Sequence, residues 1–277
     1  MNPQKIEFQR LRNFSQIINV TFEFIRQNFK QLFKAVIFFV GPFILLTGIF
    51  MGLYQKDVLM FSPTSTTLSQ FGIAYLLFII FLILTMIMMY AVVYSYILIY
   101  IKREDDLVIE LDEIWQKVKN VLPRLLLFSF GYGAVVLLGV ILLVIPGIYL
   151  SVALTILFIV ALNENLSFMD SVKRCLFLIK NKWWNTLGVL MILGLIQGFL
   201  GFLFQIPQYI ITFISAFNSI DGSQPSGTME IFIIVSSIIS SFSFAFYAIS
   251  LTGIVFWYFS LVEQKEAKGL LEKIDSI

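Results

Sequence analysis

The sequence predicts an all-α polytopic membrane protein, and three observations carry that reading. Hydrophobic residues make up 59% of the chain and charged residues only 13%, where soluble domains hold about 25% charged residues. The charges are gathered between long uncharged runs, which at about 1.5 Å per residue are long enough to cross a ~30 Å hydrocarbon core. Before three of these runs the apolar residues recur with helical spacing, so the chain approaches the bilayer on amphipathic helices. The expected architecture is six transmembrane helices in three hairpins, each preceded by a cytoplasmic amphipathic interfacial helix, within a single membrane domain over residues 1–277.

Residues 1–12 are polar and are expected to fray. From Asn13 an interfacial helix is predicted, with Phe14, Ile18, Thr21, Phe22 and Ile25 on one stripe. The first span follows from Ala35 to Gln55. Gly48 and Gly52 form a small-xxx-small pair within it, a spacing that lets helices approach closely, and Pro42 is expected to kink it. A Ser- and Thr-rich loop separates it from a second span over 72–101. The charged elbow Lys102 to Asp106 leads into a second interfacial helix, its stripe formed by Leu107, Leu111, Ile114, Trp115 and Val118, with Pro123 expected in the first turn of the next helix.

The uncharged stretch from Leu125 to Leu162 is too long for one span and suits two, joined at a turn on Pro146 and Gly147. The third interfacial helix, Ser167 to Trp184, has the clearest pattern. Phe168, Val172, Cys175, Leu176 and Ile179 form its stripe, and Asp170, Lys173, Arg174 and Lys180 are expected on the other side. The fifth span begins near Trp183. Gly194, Gly198 and Gly201 give it a flat candidate packing face, and Pro207 is expected to end or bend it. A polar loop precedes the sixth span, 231–262, and residues 263–277 form a solvated tail.

Anchored at Phe14, Leu107 and Phe168, the three interfacial helices share a register. Asn13, Asp106 and Ser167 precede them as N-caps, and each reaches an asparagine, Asn28, Asn120 or Asn181. This register points to three repeat-like units, 13–101, 106–162 and 167–262. The charge distribution sets orientation: every Lys and Arg except Lys56 falls on the side of the termini and the interfacial helices, which the positive-inside rule makes cytoplasmic.

The composition also bears on chemistry. There is no histidine, which removes the commonest metal ligand and general base. No Asp, Glu, Lys or Arg lies inside the six expected spans, an argument against ion-coupled transport. A net charge of +2 gives no case for nucleic acid. No catalytic residue, metal site or cofactor is predicted. The acidic group around Glu104 to Glu113 lacks calcium-loop spacing and reads as a solvated helix entry. Trp115, Lys182, Trp183 and Trp184 are candidate membrane-interface anchors. Lys173, Arg174 and Lys180 are candidate contacts for lipid headgroups, a protein partner or a second copy of the chain. The Ser-rich sixth span reads as tight packing, with a groove lined by Gln197, Gln205, Ser236, Ser240 and Ser243 as the alternative. Cys175, the one cysteine, reads as a packing residue.

The run from Val144 to Leu190 resembles the six-helix membrane domain that precedes the catalytic barrel in some bacterial glycerophosphoryl diester phosphodiesterases, together with its stand-alone relatives. Ile145, Pro146, Gly147, Tyr149, Glu164, Ser167, Ser171, Arg174 and Trp184 carry the resemblance. It implies a bacterial inner-membrane protein. Because the chain ends soon after the sixth span, the hydrolase barrel is expected to be absent, and its activity is not carried over. Some stand-alone relatives bear names borrowed from carotenoid-cleaving oxygenases, which bind iron through four histidines; this chain has none. The functional expectation is an accessory or scaffold protein without enzyme activity. A lipid or small-solute carrier is the alternative.

Overall fold

A computed structural model describes residues 5–59, 68–103, 108–142, 144–220 and 227–267. Among these residues the chain is helical without strands. The helices are α1 (Phe14–Phe39), α2 (Gly41–Leu59), α3 (Leu68–Lys102), α4 (Leu111–Leu142), α5 (Val144–Ala153), α6 (Leu157–Glu164), α7 (Phe168–Ile179), α8 (Trp183–Ile220), α9 (Gly227–Ser241) and α10 (Tyr247–Glu266), with a 3-10 turn at Phe242–Phe246 between the last two. Five segments are long and apolar enough to cross a membrane, or six if α1 and α2, bent by 53° about their break, form one span. The protein is therefore an all-α membrane protein.

Several boundaries differ from the sequence expectation. The interfacial helix at Asn13 does not stop at Asn28; α1 runs on to Phe39. Asn28 is used sideways within it, its Nδ2 donating to Phe24 O at 2.9 Å while its Oδ1 accepts from Tyr96 at 2.8 Å. The break comes at Val40, two residues before Pro42, whose missing N–H leaves the carbonyl of Phe38 without its helical donor. Asn120 likewise ends nothing, and Pro123 sits inside α4 rather than in a first turn. Pro207 lies inside α8, which continues to Ile220. Neighbouring groups in a bundle satisfy the backbone that such prolines free, so apolar spans tolerate them. Of the three asparagines only Asn181 breaks a helix, with φ 67°. Pro146 and Gly147 occupy the first turn of α5 instead of the turn before it. A Cβ on Gly147 would meet the Val140 backbone N at 2.8 Å, so the glycine is what lets α5 lie against α4. The Asp106 cap, the anchor Leu107 and the loop after Leu59 lie outside the described residues.

The chain packs as two compact units. The first comprises Met1–Ala35, Tyr90–Leu195 and Ala248–Ile277; the second comprises Val36–Met89 and Ile196–Tyr247.

In the first unit residues 5–12 are tucked in rather than frayed. Phe8 is buried and stacks on Phe256 at 4.4 Å, with Phe24 and Phe259 edge-on. Arg12 is buried with it, donating to the carbonyls of Phe8 and Glu7 and lying 5.3 Å from the Phe256 ring, while its backbone N–H donates to Ser260. Burial, and the nearby positive charge of Arg10, push the Arg12 pKa down. The predicted caps form at two helix starts. Asn13 and Gln16 cap each other reciprocally at 3.0 and 2.9 Å, and Ser167 accepts from the Asp170 N–H while donating to its carboxylate at 2.6 Å.

In the second unit α2 and α9 pack backbone to backbone. A Cβ on Gly48 would come within 2.7 Å of Ile238 Cα, and one on Gly52 within 2.7 Å of Ile234 Cα. Thr47 and Thr85 share a buried hydrogen bond of 2.8 Å nearby. Gly194 of the first unit and Gly198 of the second, expected on a packing face, are exposed, and a Cβ at either would meet nothing within 4 Å. Among the described residues they make no close approach.

Candidate functional site

Helix α7, which carries the most chemistry in the sequence, has two working faces in the first unit. Its buried face is Ser171, Cys175, Leu178 and Ile179, turned by about one position from the expected stripe. Phe168 begins it, lying on Gly131, where a Cβ would meet its ring at 2.6 Å, and packing edge-on against Phe128.

Arg174 belongs to this inner side, not to the outer one. Its Nε donates to both carboxylate oxygens of Glu164, at 3.1 and 2.9 Å, and its Nη1 donates to Glu266. Its side chain is only 16% exposed. The Tyr258 hydroxyl donates to Glu164 at 2.8 Å, and Asn163 Nδ2 donates to Tyr258 at 3.1 Å. The end of α6, the middle of α7 and the end of α10 are thus joined through one guanidinium, whose planar donors suit two carboxylates at once. The hydrogen bond to Glu266 raises the Arg174 pKa despite burial, so the residue stays charged. Beside it, burial and the charge of Glu164 push the Cys175 thiol pKa up, which keeps it protonated and unreactive. Arg124 holds the connection from the other side through Asn165 and the carbonyl of Leu166.

The outer face of α7 consists of Met169, Asp170, Lys173, Phe177 and Lys180, all exposed. Lys173 forms no ion pair among the described residues. Lys265 lies 5.6 Å from the Phe177 ring and donates to the carbonyl of Lys180. Of the candidate interface anchors, Trp184 is 76% exposed. Trp183 is bolted to the chain instead, stacked on Tyr149 at 5.8 Å and donating its Nε1–H to Tyr149 O at 3.2 Å. Lys182 is half-buried. Trp115 is exposed, with Lys119 Nζ 5.9 Å from its ring.

In the second unit the polar residues of the sixth span turn inward. Ser236 and Ser240 are buried; Ser240 donates to Ser237 O at 2.9 Å, and Ser236 reaches Gln208 Oε1 at 2.9 Å. Ser237 reaches both Gln55 and Gln208, and Gln208 donates to Gln55. Gln205 lies 3.4 Å from Ser243. Gln197 is half-buried. Sequence reading missed Gln55 and Gln208 as members of this cluster. The signal was there, since neutral amides are rare inside apolar runs and need partners.

No family model, curated protein or solved structure matches the chain. Nothing in these comparisons links the chain to the phosphodiesterase-associated membrane domain. Among the described residues no group of three or more His, Cys, Asp or Glu is placed to hold a metal ion. The acidic residues Glu104 to Asp106 lie outside the described residues.

A cavity of about 610 Å³ opens in the first unit between α1 and the segment entering α4. It is lined by Gln27, Lys30, Gln31 and Lys34 on one side and by Val108, Ile109, Glu110, Leu111 and Asp112 on the other. No sequence pattern marks it, because its two walls are far apart in the chain.

Proposed function

We propose that this protein is a non-enzymatic scaffold of the bacterial inner membrane, multi-pass with cytoplasmic termini, which organises lipid or a partner protein through its interfacial helices. The division of labour on α7 carries this reading. Arg174 holds the helix from behind, while Lys173, Phe177 and Lys180 present cationic and aromatic groups outward, the combination that suits an anionic surface at the headgroup level. The absence of histidine and the inward satisfaction of the Ser and Gln side chains also support a role without chemistry.

The test uses full-length protein reconstituted in vesicles containing anionic lipid. Lys173→Glu with Lys180→Glu is expected to leave the fold intact and to weaken capture of its lipid or protein neighbours, read by site-specific crosslinking from the α7 outer face, at least about tenfold. Robust solute flux or lipid scrambling that disappears in Ser240→Leu would instead make it a carrier.

A further inference from the structure

The cavity beside α1 has a charge pattern of its own. Lys30 and Lys34 stand one turn apart on α1 and line the cavity together with Gln27 and Gln31; Glu110 and Asp112 line it from the segment entering α4, together with Val108, Ile109 and Leu111. All four charged residues are exposed, and none forms an ion pair among the described residues. The lysine wall is firmly positioned. Tyr96, fully buried, donates its hydroxyl to Asn28 Oδ1 at 2.8 Å and lies 3.0 Å from Gln31 Oε1. One hydroxyl proton serves one of those oxygens at a time, so Gln31 keeps hydrogen-bonding capacity toward the cavity. On the neighbouring face of α1, Phe29 and Phe33 are exposed and stacked on each other at 5.2 Å.

We infer that this cavity binds a phosphoester that carries a primary ammonium group, as in the headgroup of a phosphatidylethanolamine lipid. The lysines and the Gln amides offer donors to phosphate oxygens, and the carboxylates accept from the three N–H donors of the ammonium. Nothing in the lining is aromatic, so a quaternary choline headgroup, which needs an aromatic cage in place of hydrogen bonds, is poorly served. A purely anionic headgroup would leave Glu110 and Asp112 facing negative charge. The volume falls within the range of about 300–1,000 Å³ usual for ligand sites. Phe29 and Phe33 give the acyl chains of such a lipid an apolar surface beside the site.

The experiment is native mass spectrometry of the full-length protein in detergent, titrated in parallel with short-chain phosphatidylethanolamine, phosphatidylcholine, phosphatidylglycerol and soluble phosphoethanolamine. Phosphatidylethanolamine is expected to bind at least about tenfold more tightly than phosphatidylcholine or phosphatidylglycerol. Lys30→Gln with Lys34→Gln is expected to abolish most of that binding, while Lys30→Arg with Lys34→Arg retains it and reports that the fold survives. Glu110→Gln with Asp112→Asn is expected to erase the preference over phosphatidylcholine while leaving phosphate-dependent binding. Equal binding of phosphoethanolamine and the lipid would support the headgroup chemistry and assign the site to a soluble ligand. Overturning results are equal affinity for the ethanolamine and choline lipids in the wild type, or binding that neither charge-neutralised pair alters. The cavity shares no residue with α7, so the crosslinking test above stands or falls separately.

Discussion

The first compact unit adds buried charges to its neutral polar contacts, whereas the buried polar groups described in the second are neutral. The first gathers full charges: Arg174 between Glu164 and Glu266, and Arg12 over Phe256. The second uses neutral groups, with two glutamines and two serines bonded to one another and two glycines that bring α2 and α9 into backbone contact. A guanidinium has five donors and costs heavily to desolvate, so it holds several elements at once and fails badly when one partner is removed. A network of amides and hydroxyls costs little to bury once satisfied, and each member contributes little. Disruption should therefore be concentrated in one residue in the first unit and spread over many in the second.

The largest effect is expected from Arg174→Gln. It leaves Glu164 and Glu266 without the cation they share, and thermal unfolding in mild detergent should show a loss of about 3 kcal/mol. In the second unit, Gly48→Ala combined with Gly52→Ala places methyl groups against the backbone of α9 and should cost about 2 kcal/mol in the same measurement. Gln208→Leu removes one member of the neutral cluster, whose hydroxyls retain their bonds to the carbonyl of Ile233, and should cost about 1 kcal/mol. A comparable loss for Gln208→Leu and Arg174→Gln would erase the contrast between the units.

A smaller effect concerns pH. The Cys175 pKa is raised in the folded state, so the folded protein keeps its thiol proton at pH values where the unfolded chain has lost it. The stability this supplies is complete below the unfolded value of about 8.5 and is lost as pH rises above it, by about 1 kcal/mol per pH unit at first. Cys175→Ala should flatten that decline in a series of melting curves. Last, and opposite in sign, Gly194→Ala with Gly198→Ala should raise stability by up to about 1 kcal/mol, since a Cβ there meets no atom of the described residues and alanine is the better helix former.

The legible part of the molecule was whatever local chemistry decides. The caps at Asn13 and Ser167 depend on residues three positions apart, and the long apolar runs needed only hydropathy. The helix breaks at Asn28 and Asn120 did not appear, because an asparagine side chain can serve a lateral contact as readily as a helix end, and for Asn28 the deciding partner, Tyr96, is distant in sequence. Arg174 shares a polar helix face with Lys173 in one dimension, and only the arrival of Glu164 and Glu266 separates their roles. The cavity beside α1 was illegible for the same reason: lysines inside α1 and carboxylates at the entry to α4 line one cavity only once the chain is folded.

The most direct test of the central claim, that α7 is clamped from behind by Arg174 and free to act on its outer face, uses the single cysteine as a reporter. Cys175 is fully buried next to the clamp. Maleimide labelling of the full-length protein at neutral pH should be slow in the wild type, equally slow in Lys173→Glu with Lys180→Glu, and faster by at least about tenfold in Arg174→Gln. Labelling that stays slow in Arg174→Gln, or that rises as much in the outer-face variant, would contradict the account.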